Sequence, residues 1–487
     1  MTMEPSLEEV KKISEQGSYD VCPVRIRIDR NGLEPTDVAE ILMNVSSHCF
    51  LLESAEEDRT WGRYSFLGFD PKLSVTCKDG HMVVGDLKLE TKDPNRYIRQ
   101  VLEDYKGYRV PGFPTFTGGL VGYFSYDYLK YSEPSLVLDA KDTEDFQDVD
   151  LMLFDKVIAF DNVEDCIMLI ANVDLKDCET SYNKAAMDLE SLKGLIIRGE
   201  RKHDVGGHLR SDIRPMFDKE RYCSMVEDAK GYIHEGDIFQ IVLSNRLEAD
   251  FEGSLLPTYR ILRGSNPSPY MFYFSGSDME VAGASPETLV KLEDGVLHTF
   301  PLAGTRPRGK TPEEDLELER ELLSNEKELA EHNMLVDLGR NDLGRISRFG
   351  TVEVERYHTI QRFSHVMHIG STVRGEIRDG ADALSAIDSV LPAGTLSGAP
   401  KIRACQLINS LEDNKRGIYG GAIGYIDFSG NLDTAIAIRI AYKKNGKVFV
   451  RSGAGIVADS DPESEYQECL NKARAVIDAL KKAEGSE

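Results

Sequence analysis

A chain of 487 residues is too long for one small core, and a composition of 41% apolar and 29% charged residues excludes the disordered and fibrous classes. The formal net charge of -25 and a sequence pI near 4.9 argue against a nucleic-acid backbone or an anionic membrane surface as partner. The eight cysteines are scattered with no CxxC pair, which indicates neither a zinc cluster nor a disulfide framework and fits a reducing cytoplasm. The charged N-terminus MTMEPSLEEVKKISEQG lacks the apolar segment of a signal peptide, and no apolar run is long enough to cross a bilayer.

From Val21 to about Val173, short runs such as CFLLES, YSFLGF, LMLFDKVIAF and CIMLIANV, broken by Gly, Asp and Asn, predict a strand-rich first domain over 20–198. Helical periodicity from Ser181 to Gly199 closes it, and the nearly apolar-free stretch after it marks a linker at 199–215. A second domain of mixed α and β character is expected over 216–483. Asp218 caps a helix running to about Glu235 and stopping at Gly236, and IFQIVLSNRLEADF then forms a strand. Thr311, Pro312 and Glu314 open a helix expected to reach about Val336. Ala399 and Pro400 open another. Near the end GAIGYIDF, TAIAIRIAY and KVFVRS are expected to form an antiparallel meander, and Asp461 with Pro462 starts a last helix.

Several residues in this half can carry chemistry. Glu328 and Glu331 are three apart on a predicted helix, and Glu465, Glu468 and Lys472 project from one face of the last. Two such carboxylate stripes suit a hard divalent cation, although carboxylates on helices commonly just line a solvated face. Alternation in TAIAIRIAY puts Arg439 with Ala435 and Ala437 on an enclosed face, where its charge must meet an internal carboxylate or a bound anion. Gly453 and Gly455 in SGAGIVADS either let backbone approach a ligand or make a plain turn; a dinucleotide site is excluded because the helix starts only at Asp461. LPAGTLSGAPK carries Thr395 and Ser397 ahead of a helix start but lacks the P-loop spacing. His365 and His368 are three apart in a strand-like segment and face opposite ways, which argues against joint metal ligation, and one of them can be a base.

Taken together, PLAGTRPRG (301–309), KELAEHNMLVDLGRNDLGR (327–345), LPAGTLSGAPK, YGGAIGY, IRIAY, GAGIVADS and the Glu465, Glu468, Lys472 spacing closely resemble the chorismate-utilising enzymes. LLES (51–54) and GRYSFLG (62–68) are similar to the N-terminal domain of that family's anthranilate synthase component I branch. The resemblance implies an α+β fold, with large antiparallel β-sheets packed as a sandwich, helices on the outside and two closely associated subdomains. It implies conversion of chorismate and ammonia to anthranilate and pyruvate in tryptophan biosynthesis, with 4-amino-4-deoxychorismate synthesis as the alternative. Ala303 stands where aminodeoxychorismate-forming members carry lysine, and Gln240 where isochorismate-forming members carry a water-activating lysine.

By the same resemblance, Glu331, Glu468 and Glu465 would hold Mg²⁺, and Glu328 would be the general acid at the C4 hydroxyl. His368 would serve pyruvate elimination, with Thr395 and Lys472 beside it. Gly304, Thr305, Tyr419, Arg439, Gly453, Ala454 and Gly455 would cradle chorismate. Ser54, Pro269, Tyr270 and Met271 resemble a tryptophan feedback site, joined by Asn266. With no glutaminase nucleophile motif present, ammonia is expected from a separate glutamine amidotransferase subunit.

Overall fold

The computed structural model describes residues 2–54, 62–201, 206–276, 279–362 and 366–484. Among these residues the strands form two antiparallel sheets of 13 and 12 strands, and both sheets draw strands from either side of the 199–215 segment. The first sheet runs from Val21–Asp29 through Cys166–Asp174, Cys49–Glu53 and Tyr270–Ser275 to Lys447–Ile456 and Gln240–Glu252. The second joins Leu302–Pro307, Val366–Glu376, Thr288–Glu293 and Leu432–Ile436 to Gly119–Phe124 and Val149–Phe154.

Alternation explains the layering. Inward residues of both sheets meet in an aromatic core that includes Phe50, Phe116, Phe154, Phe272 and Tyr442. The Phe50 and Phe154 rings meet edge to face at 4.7 Å, an arrangement worth about 1 kcal/mol beyond area burial. The outer face of the first sheet is covered by Cys178–Arg198, Leu256–Ser265 and Pro462–Ala483, through Leu189, Leu262 and Val476 among others. The outer face of the second is covered by Pro94–Glu103, Ala383–Val390 and Glu326–Gly344. Helices therefore flank a sheet sandwich, as the resemblance implied.

Local caps set several boundaries. Asp218 accepts from the Arg221 N–H at 2.8 Å ahead of Lys219–His234, and Gly236 follows at φ +83°. The helix opened by Thr311 differs from expectation. It spans Pro312–Ser324 and breaks at Asn325, whose side chain accepts from the Glu328 N–H at 3.2 Å and so caps a second helix, Glu326–Gly344. The terminal meander is also interrupted. Leu432–Ile436 lies in the second sheet and Ile440–Lys444 in the first, so 437–439 is a crossing between sheets, and Arg439 sits in it at φ +52°. The even alternation expected for TAIAIRIAY therefore ends at Ile436.

Candidate active site

A cavity of about 1120 Å³ opens between the two sheets, lined by parts of Leu302–Pro307, Glu326–Gly344, Lys447–Ile456 and Pro462–Ala483. It gathers Gly304, Thr305, Glu328, Glu331, His368, Thr395, Tyr419, Arg439, Gly453, Gly455, Glu465, Glu468 and Lys472. Ala454 belongs to the same strand, but its methyl group points the other way, into the core of Tyr222, Ile241 and Ile408. Ala454 can offer the cavity only backbone. His365 lies outside the described residues.

Two glycines shape the walls. Gly304 at φ +68° forms the irregularity between Ala303 and Thr305 in the ladder with Val366–Glu376, which turns Thr305 toward His368. A Cβ on Gly304 would stand 3.0 Å from Glu328 Oε2. A Cβ on Gly453 would press to 2.7 Å from the Leu243 carbonyl and 3.2 Å from the Tyr419 hydroxyl. Alanine at either position would therefore crowd the cavity wall.

The imidazole of His368 is oriented by its backbone neighbour. Its Nδ1 lies 2.9 Å from the Gly304 carbonyl and 3.0 Å from Thr305 Oγ1. A carbonyl only accepts, so Nδ1 carries the proton and Nε2 is the basic nitrogen. Burial lowers the His368 pKa, with nearby Arg439 acting in the same direction, so the ring is neutral near pH 7.

Carboxylates from two helices occupy the opposite wall. Burial raises the Glu331 pKa first, and the Glu328 and Glu468 charges add to it; Glu465 is raised by burial and then by Glu468. Lys472 offsets part of this charge, bonding Glu468 at 2.7 Å and the Gly453 carbonyl at 3.2 Å. An all-oxygen set that repels itself suits a hard divalent cation, so the donor chemistry fits magnesium. No three potential ligands among the described residues are gathered as a metal cluster. Glu328 has a partner that its sequence spacing did not reveal. It accepts from Arg306 Nη1 at 3.1 Å, and the same guanidinium holds Glu321.

Sequence reasoning missed Glu287. It lines the cavity, accepts from Thr395 Oγ1 at 3.0 Å, and has its pKa raised by burial to about 7. Glu287 and Arg439 occupy adjacent crossings between the sheets. Met279–Ser285 belongs to the first sheet and Thr288–Glu293 to the second, so the chain changes sheets at 286–287 as it does at 437–439. The crossings are bonded to each other, Ile436 N–H to the Glu287 carbonyl at 3.0 Å and Ala284 N–H to the Arg439 carbonyl at 3.2 Å. Arg439 has no hydrogen-bond or ion-pair partner among the described residues, although the charge of Glu287 acts on it. Of its two possible anions, an internal carboxylate does not bond it.

Behind the cavity, Glu412 lies between Arg416 and Arg451, all three 0–1% exposed. Arg416 also donates to the Leu396 carbonyl at 2.5 Å and the Val242 carbonyl at 2.7 Å, fixing two cavity-lining segments. Further away, Ser54 and the Pro269–Met271 segment lie together, because Met271 pairs with Glu53. Ser54 Oγ and Asn266 Nδ2 there are buried without partners among the described residues.

Residues 47–478 match the model of the chorismate binding enzyme family. The chain is 43% identical over 502 residues to anthranilate synthase component 1 of Aquifex aeolicus, covering 100% of each. The crystal structure of anthranilate synthase component I from Streptococcus pneumoniae matches with a TM-score of 0.78 at 36% identity, over 85% of this chain and 92% of that one. The menaquinone-specific isochorismate synthase of Escherichia coli shares the fold at a TM-score of 0.71 and 20% identity, over 97% and 98% of the two chains. With its sandwich, its cavity and nearly its whole length accounted for in this way, the chain belongs to the family of chorismate-binding enzymes.

Proposed function

We propose that the chain is the chorismate-converting subunit of an anthranilate synthase, a lyase that forms anthranilate and pyruvate from chorismate and ammonia. One observation carries this reading. A carboxyl whose pKa is raised to about 7, Glu287, shares its cavity with Arg439, a guanidinium without a bonded partner among the described residues, and with carboxylates from two helices. Arg439 suits the enolpyruvyl carboxylate. Gly304, Thr305, Tyr419, Gly453 and Gly455 complete the cradle.

Glu287 is better suited than Glu328 to donate the proton. Departure of the C4 hydroxyl as water needs a protonated group, which Glu287 supplies near neutral pH, whereas Glu328 is bridged to Arg306. Thr395 orients Glu287. Ammonia adds at C2 as the C4 hydroxyl takes this proton and leaves. His368 Nε2 then accepts the C2 proton while the C3–O bond to the enolpyruvyl group breaks, giving the aromatic ring and, once its enol is protonated, pyruvate.

Glu331, Glu468 and Glu465 would hold Mg²⁺, which when bound neutralises the ring carboxylate of chorismate. Lys472 pairs with Glu468 at 2.7 Å. Ala303 and Gln240 line the cavity without an amine, which favours this reaction over 4-amino-4-deoxychorismate or isochorismate formation. We assign ammonia supply to a glutamine amidotransferase subunit, feedback inhibition by tryptophan to the Ser54 and Pro269–Met271 region, and the site of action to the cytoplasm. The test is purified chain with chorismate, Mg²⁺ and ammonium salt. Anthranilate and pyruvate are expected, and both are expected to vanish with EDTA. A 4-amino product would move the reading to the alternative, and no turnover would sink it.

A further inference from the structure

Arg306 joins two helices from behind the cavity wall. It follows Thr305 on Leu302–Pro307, and Thr305 lines the cavity whereas Arg306 does not. Its Nε and Nη2 donate to the two oxygens of Glu321, at 2.6 and 2.8 Å, in the fork geometry that fixes the plane of a guanidinium. The N–H groups of Nη1 go to the Thr305 carbonyl at 2.8 Å and to Glu328 Oε1 at 3.1 Å. Glu321 belongs to Pro312–Ser324 and Glu328 to Glu326–Gly344, so the guanidinium spans the break at Asn325.

Glu328 is divided between the two sides of this wall. Oε1 is held by Arg306, while Oε2 stands 3.0 Å from where a Cβ on Gly304 would be. Glu328 shares a helix face with Glu331, and after burial its charge is the next cause of the raised Glu331 pKa. It is thus a fourth cavity carboxylate, within electrostatic reach of Glu331 but tied at one oxygen to a cation of the protein's own. Ligand number decides what that tie does. Mg²⁺ keeps several waters and substrate oxygens and takes few carboxylates, whereas Ca²⁺ accepts about six to eight oxygens in a flexible shell. A free fourth carboxylate would therefore favour the larger ion.

We propose that Arg306 withholds Glu328 from the bound cation, and that the cavity thereby selects magnesium over calcium. Arg306 touches neither the cation nor the substrate and acts through Glu328, as a positioning residue. The inference rests on the reading of Glu331, Glu468 and Glu465 as the magnesium ligands. A plain staple across the helix break predicts the opposite result on removal, because a loosened Glu331 would weaken the binding of both cations.

Arg306→Met keeps the apolar stem and removes the charge. With full-length chain and excess chorismate, and with ammonium absent so that no anthranilate forms, Mg²⁺ and Ca²⁺ are titrated calorimetrically. Magnesium is expected to bind the unaltered chain. In Arg306→Met calcium affinity should rise relative to magnesium affinity by at least about five-fold. Adding Glu328→Gln to that variant should bring the ratio back to within about two-fold of the unaltered chain, which assigns the gain to Glu328. Arg306→Gln also removes the charge, and carries the test should the methionine variant not fold. A smaller change in the ratio, weaker binding of both cations, or a gain that survives Glu328→Gln overturns the role of Arg306 and leaves the magnesium ligands standing. No magnesium binding to the unaltered chain overturns the reading of those ligands, and the role of Arg306 with it.

Discussion

Replacing Glu287 with glutamine should make the protein a worse catalyst and, above neutral pH, a more stable one. Burial raises this carboxyl from 4.5 to about 7, which corresponds to about 3 kcal/mol. The figure is an upper bound, since the carboxyl faces a cavity that water enters. The sign is fixed by the direction. A carboxyl whose folded pKa is raised binds its proton more tightly in the folded state, so its contribution is fully present below pH 4.5 and is lost as pH rises to about 7. Glutamine cannot ionise. The stability of Glu287→Gln relative to the unaltered chain should thus rise between pH 4.5 and 7 and level off by up to about 3 kcal/mol, read from denaturant midpoints at pH 5 and pH 8.5. Turnover should fall by about 10²–10⁴-fold, the usual contribution of a general acid, in a continuous anthranilate fluorescence assay with ammonium. A stability difference that is the same at both pH values, or turnover within about three-fold of the unaltered chain, would refute the reasoning.

Glu468→Gln removes one carboxylate from the repelling set and should raise the magnesium dissociation constant at least about ten-fold by calorimetry, with Lys472 left without its 2.7 Å partner. His368→Ala should slow pyruvate release by about 10²-fold or more while ammonia addition proceeds, so that a single-turnover experiment accumulates a non-aromatic amino product; simultaneous loss of both steps would remove His368 from the elimination. Arg439→Lys keeps the charge but loses the fork, and should raise the chorismate KM by about ten-fold or more with little change in kcat.

Features set by neighbouring residues were legible in the sequence. Asp218, Thr311 and Asp461 each stand at the N-cap position of the helix that follows, the first two with a side-chain capping bond and Asp461 without one. The carboxylates of the two helices were legible because i, i+3 spacing fixes a shared face wherever a helix forms. Asn325 was not. Its side chain breaks a helix by satisfying one N–H, and nothing in the apolar pattern from Leu316 to Val336 records that choice. The bridge from Arg306 to Glu328 links residues 22 apart on different elements, so it follows from packing alone.

Glu287 was hidden, and Arg439 was placed on the wrong face, for one reason. A strand that leaves one sheet for another must break its ladder, and at the break the alternation that makes a strand recognisable stops carrying information. In TAIAIRIAY the letters continue to alternate across 437–439 although the chain has changed sheets, so Arg439 was noticed for a face it does not share. Glu287 stands alone between MEVAGAS and TLVKLE, with no second carboxylate at helical spacing and only the preceding Pro286 to mark an interruption. Backbone groups released at such breaks must be paired, and here they pair with each other, through Ile436 with Glu287 and Ala284 with Arg439. That pairing holds the proposed proton donor and the proposed anion-binding guanidinium in adjacent crossings at the seam of the sandwich, where neither sheet is regular and both residues line the cavity.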